Sequence, residues 1–247
     1  MLKQENRPEF DSYANKYSAG MENPLVKAFG KDAEDYLGVK VKLLLKNLTA
    51  RPLKHSESNE KIRYLDFGCG IGSFIKILTE NNFDGIPAGC DVSGNMLEKA
   101  KENCNFIPAP NFFKVDQRTL ALPSSEYNLV IACCVFHHIL PKNRPAVFEQ
   151  IINSLKPGGR LAIFEHNPLN PLTRWVVSRT PVDKNAVLLN LKEVQTSMVE
   201  TGFENIFKNY MMFFPPKLKF ELLEKCEQAL SWLPIGAQYF ISGDKPE

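Results

Sequence analysis

No stretch of this sequence approaches the roughly 20 consecutive apolar residues that cross a bilayer as a helix. The start, Met1-Leu2-Lys3-Gln4-Glu5-Asn6-Arg7, lacks an apolar signal core, so a cytoplasmic location is expected. An excess of one charge is also missing: 30 Lys and Arg against 28 Asp and Glu leave a formal charge of +2. That balance supplies no broad electrostatic footprint for nucleic acid. The six cysteines, Cys69, Cys90, Cys104, Cys133, Cys134 and Cys226, include no C-x-x-C pair, which argues for free thiols. Cys133 and Cys134 are neighbours expected to point to opposite faces of a strand, so no metal site is expected there. No internal repeat or low-complexity tract is present. What remains is 247 residues, 44% hydrophobic and 23% charged, enough to bury one sizeable core. A single domain over 1–247 is expected: a helical cap over 1–60, a binding core over 61–165, and a substrate-side insertion with C-terminal strands over 166–247.

The richest segment is Ile62-Arg63-Tyr64-Leu65-Asp66-Phe67-Gly68-Cys69-Gly70-Ile71-Gly72-Ser73. A hydrophobic strand here runs into Asp-x-Gly-x-Gly-x-Gly, and the three glycines let bare backbone approach a ligand. Phe74, Ile75, Ile77 and Leu78 follow at helical spacing, so the turn sits on a helix N-terminus. A dinucleotide fingerprint needs its third glycine at position 73, where this chain has Ser. Asp66, at the strand end, suits a ligand with a cationic amino group rather than an anionic pyrophosphate. Asp91 closes the next strand about 20 residues beyond the glycine turn, where a carboxylate accepts from both ribose hydroxyls. Asp116 ends a third strand and is placed to accept from the exocyclic amine of an adenine.

Three acids ending three successive strands, with Tyr127–Cys133 as a fourth strand and Leu155-Lys156-Pro157-Gly158-Gly159 turning into a fifth, resemble the class I S-adenosylmethionine-dependent methyltransferases, in their small-molecule branch. The resemblance covers about residues 61 to 165. It implies an α/β fold: a Rossmann-like, seven-stranded, mostly parallel sheet of order 3-2-1-4-5-7-6, with its last strand antiparallel, helices on both faces and an N-terminal helical cap. The cofactor implied is S-adenosyl-L-methionine, released as S-adenosyl-L-homocysteine. Asp66, Gly68, Cys69, Gly70 and Gly72 would hold its methionine end, Asp91 its ribose, and Asp116 with Gln117 its adenine, with Val92 also among the cofactor-binding residues. Met96 would cover an adenine face, backbone near Cys133 would meet the amino group, and Tyr17, in the N-terminal helix Glu9–Tyr17, would reach the methionine carboxylate.

The chain alternates in the expected manner, with strands at 61–66, 86–91, 111–115, 127–133 and 159–165. Helices are expected at 31–48, 73–81, 93–103, near 118–121, at 143–155 and at 191–201, the last ending at Gly202. Further strands are expected at 203–209 and 237–242, with an amphipathic helix carrying Leu218, Leu222, Leu223, Cys226, Ala229 and Leu230 between them. Pro168 and Pro171 force the chain out of the sheet after Glu165, so 168–190 reads as an insertion across the site mouth.

Catalytic candidates lie beyond the fourth and fifth strands: His137 and His138, and Glu165 with His166, where a carboxylate beside an imidazole is placed to orient it. Against each stands a plainer role, shaping the pocket or bonding backbone. Arg174 is a candidate phosphate or carboxylate clamp. The aromatic and methionine-rich run Phe207–Phe220 reads as a packed strand and loop, or as the wall of an apolar substrate cavity. The Asn/Asp-Pro-Pro-Tyr motif of many nucleic-acid methyltransferases is absent after the fourth strand, where Cys133-Cys134-Val135-Phe136 stands, favouring a small-molecule acceptor. The aromatic run keeps an aromatic or lipophilic one open, and the block Glu165–Arg174, which resembles one in bacterial methyltransferases of small-molecule or surface-polysaccharide biosynthesis, implies a sugar-linked one. Two rival readings are a nicotinamide-dependent reductase, which lacks both its third glycine and a Tyr-x-x-x-Lys pair, and a non-catalytic binding subunit on the same fold.

Overall fold

The computed structural model describes residues 33–54, 60–116, 119–215 and 221–247. The elements are α1 (Ala33–Ala50), β1 (Ile62–Phe67), α2 (Ser73–Glu80), β2 (Gly85–Asp91), α3 (Gly94–Asn103), β3 (Asn111–Lys114), β4 (Tyr127–Cys133), α4 (Arg144–Ser154), β5 (Leu155–His166), α5 (Pro171–Val177), α6 (Leu191–Thr201), β6 (Glu204–Met211), α7 (Glu221–Leu230) and β7 (Gln238–Asp244).

Residues of the central strands alternate between two apolar clusters because successive side chains face opposite sides of a sheet. Leu65, Phe67, Val130, Ala132, Leu161 and Ile163 join one apolar cluster, against Phe148 and Ile151 of α4 and Val194 and Met198 of α6. Tyr64, Leu129, Ile131, Ala162 and Phe164 join the other, against Val41 and Leu44 of α1 and Phe74, Ile75 and Leu78 of α2. Helices therefore cover both faces, and α1 is part of the cap expected over the N-terminal segment.

The strands form one seven-stranded sheet in the order β3-β2-β1-β4-β5-β7-β6, as expected. β1 runs parallel to β2 and β4, β2 to β3, and β4 to β5, while β7 is antiparallel to β5 and β6. The chain winds outward through β2 and β3, then returns to the other side of β1 as β4. Such a reversal opens a crevice between the carboxyl ends of β1 and β4, where α/β sheets bind ligands.

Some boundaries depart from expectation. β5 begins at Leu155 rather than 159: Gly158 takes a φ of 69° and the ladder to β4 shifts register between Tyr127 and Leu129, so the Pro-Gly-Gly segment is an irregular strand start. Near 118–121 no helix forms over the described residues 119–121. The supposed insertion contains α5, with Pro171 in its first turn and Asn170 capping it by accepting from the Thr173 N–H at 3.0 Å. Asn167, fully buried, ties this segment to the start of β7 by donating to Pro234 O at 3.0 Å and Gly236 O at 2.8 Å. α6 carries a reciprocal cap between Asn190 and Glu193 and ends at Gly202 as expected. At the far end of the sheet the buried Arg160 donates through Nε to Asp244 Oδ1 at 2.6 Å, and through its other arm to Arg51 O of the cap segment.

Candidate functional site

The turn after β1 is built as its glycines suggest. The N–H groups of Gly68 and Cys69 both donate to Cys90 O of β2, at 2.8 and 2.9 Å, folding the loop over the sheet end. The Gly70 N–H donates to Asp91 Oδ2 at 2.9 Å and the Ser93 N–H to Asp91 Oδ1 at 2.8 Å, so Asp91 is held at the crevice rim. Gly70 has φ +51°, and a Cβ built on it meets nothing within 4 Å, so its outer side is open.

Asp66 is 2% exposed and its Oδ2 has no hydrogen-bond partner among the described residues. A buried, unpaired carboxylate oxygen is costly, and the protein tolerates it here in the floor of the crevice. Burial, with the charge of Asp91 added, pushes this carboxyl up to about 7.

Two adjoining cavities open over these groups. The smaller, about 160 Å³, is lined by Asp91, Val92, Met96, Val115, Leu120 and Ile139 among others. The larger, about 400 Å³, takes in Asp66, Cys69, Lys40, His137, His166 and the apolar side of α5. Both include Gly68, Gly70, Cys133, Cys134 and His138, so they meet above the glycine turn. Of the expected cofactor residues, Asp66, Gly68, Cys69, Gly70, Asp91, Val92, Met96 and Cys133 all line this space. Gly72 lies beneath it, at the N-terminus of α2 with φ +77°. Asp116 lies two residues past β3, is exposed, accepts from the Thr119 N–H at 3.2 Å, and lines neither cavity. Tyr17 and Gln117 lie outside the described residues.

The pair Cys133 and Cys134 corrects the expectation of opposite faces. Cys134 follows the strand end with φ +57°, and this twist brings both sulfurs to Lys40 Nζ at 3.2 Å each. A hydrogen bond from the Cys133 thiol, together with the Lys40 charge, holds Cys134 well below the ordinary thiol range. The same bond and burial raise Cys133 well above it. Lys40 is itself buried, which opposes its charge, yet the two sulfurs raise it above the usual lysine range. Sequence reasoning missed Lys40, although a lysine on the apolar stripe between Leu37, Val41 and Leu44 is a signal in itself. All six cysteines are free.

The histidines are also arranged differently from expectation. Glu165 orients His137 rather than its neighbour His166, because adjacent strand residues face opposite ways. Glu165 Oε2 lies 2.6 Å from His137 Nδ1, and Oε1 accepts from the Phe136 N–H at 2.7 Å, both side chains being fully buried. Burial alone would depress His137, but Glu165 and Asp183 push it up to about 10. Burial and the charge of His137 push His138 down to about 4. His166 lies 3.3 Å from Gln238 Nε2 through Nδ1, its ring 5.1 Å from that of His137. Asp183, in the 3₁₀ turn Pro181–Asp183, has no local pattern that announces it. Arg174 is exposed and lines neither cavity, which matches the plainer reading of a solvated arginine. The aromatic run divides: Met211 packs in the core, while Met212 to Pro215 line the larger cavity.

Residues 65–161 match the methyltransferase domain family. Trans-aconitate 2-methyltransferase of Rhizobium rhizogenes is 34% identical over 101 residues, which are 41% of this chain and 37% of that enzyme. The chain thus spans about a third of the length of the curated relatives it matches. Among solved structures, an S-adenosylmethionine-dependent methyltransferase from Thermotoga maritima superposes with a TM-score of 0.66 at 21% identity, covering 96% of this chain and 97% of that one. Phosphoethanolamine N-methyltransferase 2 of Haemonchus contortus, solved with S-adenosyl-L-methionine, superposes with a TM-score of 0.63 at 18% identity, covering 98% and 61%. At those identities the structures speak for the fold. The unpaired Asp66 carboxylate and the open space over Gly70 fit a ligand with an ammonium group close to bare backbone, as S-adenosylmethionine has. The matched domain, the strand order and the crevice between β1 and β4 together make residues 65–161 a methyltransferase-domain core, on a sheet shared with solved S-adenosylmethionine-dependent methyltransferases.

Proposed function

We propose that the protein transfers a methyl group from S-adenosylmethionine to a small-molecule acceptor in the larger cavity. The observation that carries this reading is the buried, unpartnered Asp66 oxygen at the junction of two cavities, one sized and lined for a nucleoside, the other apolar with a polar end. Asp66 takes the ammonium of the cofactor, Asp91 its ribose hydroxyls, and Met96 with Val92 one wall of its adenine pocket. S-adenosylmethionine, when bound, supplies a methyl group already activated on a sulfonium.

The chain's own contribution is therefore orientation and exclusion of water, which supply up to roughly 7–11 kcal/mol of such a barrier. Leu172, Val176, Phe213 and Phe214 give the larger cavity its apolar walls and exclude water from the acceptor. His138 and His166 are among the polar groups that line it, and Glu165 acts on it through His137, which it holds in place. An acceptor with an apolar body and one polar head fits this lining.

The test is calorimetric titration with S-adenosyl-L-homocysteine and, separately, NADH. Micromolar binding of the first alone, lost in Asp91→Ala, is expected. Binding of NADH alone would restore the reductase reading, and silence from both would leave a fold without its cofactor. Turnover to S-adenosyl-L-homocysteine with any acceptor disposes of the non-catalytic alternative.

A further inference from the structure

We propose that His137, His138 and Asp183 form a binding site for one divalent transition ion of the zinc class, set in the wall of the larger cavity. The two imidazoles come from the 3₁₀ turn Phe136–His138 that follows β4, and the carboxylate from the turn Pro181–Asp183 after α5. Their ligand atoms all lie within 4.8 Å of one another. Asp183 Oδ1 is 3.5 Å from His137 Nε2 and 3.4 Å from His138 Nε2.

Those separations are long for hydrogen bonds between charged partners, which close to about 2.7–2.9 Å. They match two ligands sharing a tetrahedral ion, whose chord at bond lengths near 2.0–2.1 Å is roughly 3.3 Å. The far side of His137 carries the second half of such a site. Its Nδ1 lies 2.6 Å from Glu165 Oε2, leaving Nε2 aimed at Asp183, the carboxylate–histidine–metal arrangement that fixes ring orientation and raises ligand basicity. Glu165 is itself anchored by the Phe136 N–H. The Asp183 turn is tied to the histidine segment by the Val187 N–H, which donates to His137 O at 2.8 Å.

Two nitrogens and one oxygen favour zinc and its transition-series neighbours over magnesium or calcium, which take oxygen. Three protein ligands leave a fourth position, and all three residues line the larger cavity, so that position faces the space an acceptor would occupy. A hydroxyl or carboxylate oxygen seated there would be polarised and held. That last consequence rests on the methyl-transfer reading; occupancy by an ion does not.

The experiment is elemental analysis and Co²⁺ titration of the full chain, chelator-treated and then reloaded with Zn²⁺ or Co²⁺. Wild type should retain about one ion per chain, and the Co²⁺ form should show the visible bands of a tetrahedral site. Asp183→Ala and His138→Gln should each lower retained ion at least tenfold while still melting cooperatively, whereas the Cys133→Ser/Cys134→Ser double variant should keep it. If Asp183→Ala fails to fold, His138→Gln decides. No retention by wild type, full retention by His138→Gln, or loss only in the thiol double variant overturns the proposal. Titration with S-adenosyl-L-homocysteine run alongside separates the two readings: ion retained without its binding leaves this site standing and removes the methyl-transfer function.

Discussion

Replacing Asp66 by Asn isolates the cost of holding a carboxylate ready for a cation. Burial and Asp91 raise this group to about 7, against about 3.9 for a free aspartate in the unfolded chain. Between those values the folded protein binds a proton that the unfolded chain has released. Stability from this group is therefore greatest below pH 4 and declines as pH rises to 7, the reverse of an ion-paired aspartate. The whole shift is worth about 4 kcal/mol, of which about 2.5 kcal/mol falls between pH 5 and pH 7.5. Denaturant unfolding of the ligand-free protein at those two pH values should show wild type losing about that much relative to Asp66→Asn. Binding should run the other way. Between pH 5 and 7 an ammonium ligand must displace the proton, so the Kd of wild type for S-adenosyl-L-homocysteine should fall by up to about tenfold per pH unit, while the variant binds weakly at every pH. Equal stability profiles for the two proteins, or a wild-type affinity independent of pH, would refute the assignment of Asp66 as a poised counter-charge.

The glycine turn separates space for ligand from space for packing. Gly70→Ala puts a methyl into open volume, so it should cost only about 1–2 kcal/mol for its φ of +51° yet weaken S-adenosyl-L-homocysteine binding strongly by calorimetry. Gly72→Ala brings a Cβ to 2.8 Å from Cys104 Sγ at φ +77°, so thermal melting should show the larger loss of stability of the two. Asp244→Asn strips the charge partner from buried Arg160 and should cost about 3–5 kcal/mol in a denaturant melt, with cofactor affinity retained in the folded fraction. Cys134 should be the first cysteine alkylated by iodoacetamide near neutral pH, by peptide mapping, and Lys40→Met should slow that reaction.

The sheet could be read from the sequence because each of its central strands is buried on both faces and announces itself as a short apolar run between turn residues. β1, β2 and β4 needed only that, and their order followed from the family resemblance carried by the strand-end acids. Boundaries failed where backbone geometry rather than side-chain pattern decides. At β5 the chain makes ladder bonds before a glycine of positive φ, and no hydrophobic period marks an irregular start. The insertion was harder still, since α5 is one short helix whose position is set by Asn167 reaching the backbone before β7, a contact far apart in sequence.

The site divides along the same line. The placement of Asp66, the glycines and Asp91 around the crevice was legible because they sit at strand ends and in a backbone turn, which are fixed by local sequence. The other half of the site was not, because there the pairings cross the fold: Glu165 meets His137 instead of His166, Lys40 reaches two sulfurs from a helix outside the matched domain, and Asp183 arrives from the turn after α5. A left-handed residue at Cys134 reversed the expected direction of one side chain, and no periodicity argument accounts for a single φ. The consequence for the proposed function is asymmetric. Residues fixed at strand ends and turns can be named from spacing, whereas those that line the larger cavity are assembled by long-range packing, so the proposed acceptor must be sought from the cavity formed by Asp183, His138 and the aromatic pair Phe213 and Phe214 rather than from any motif.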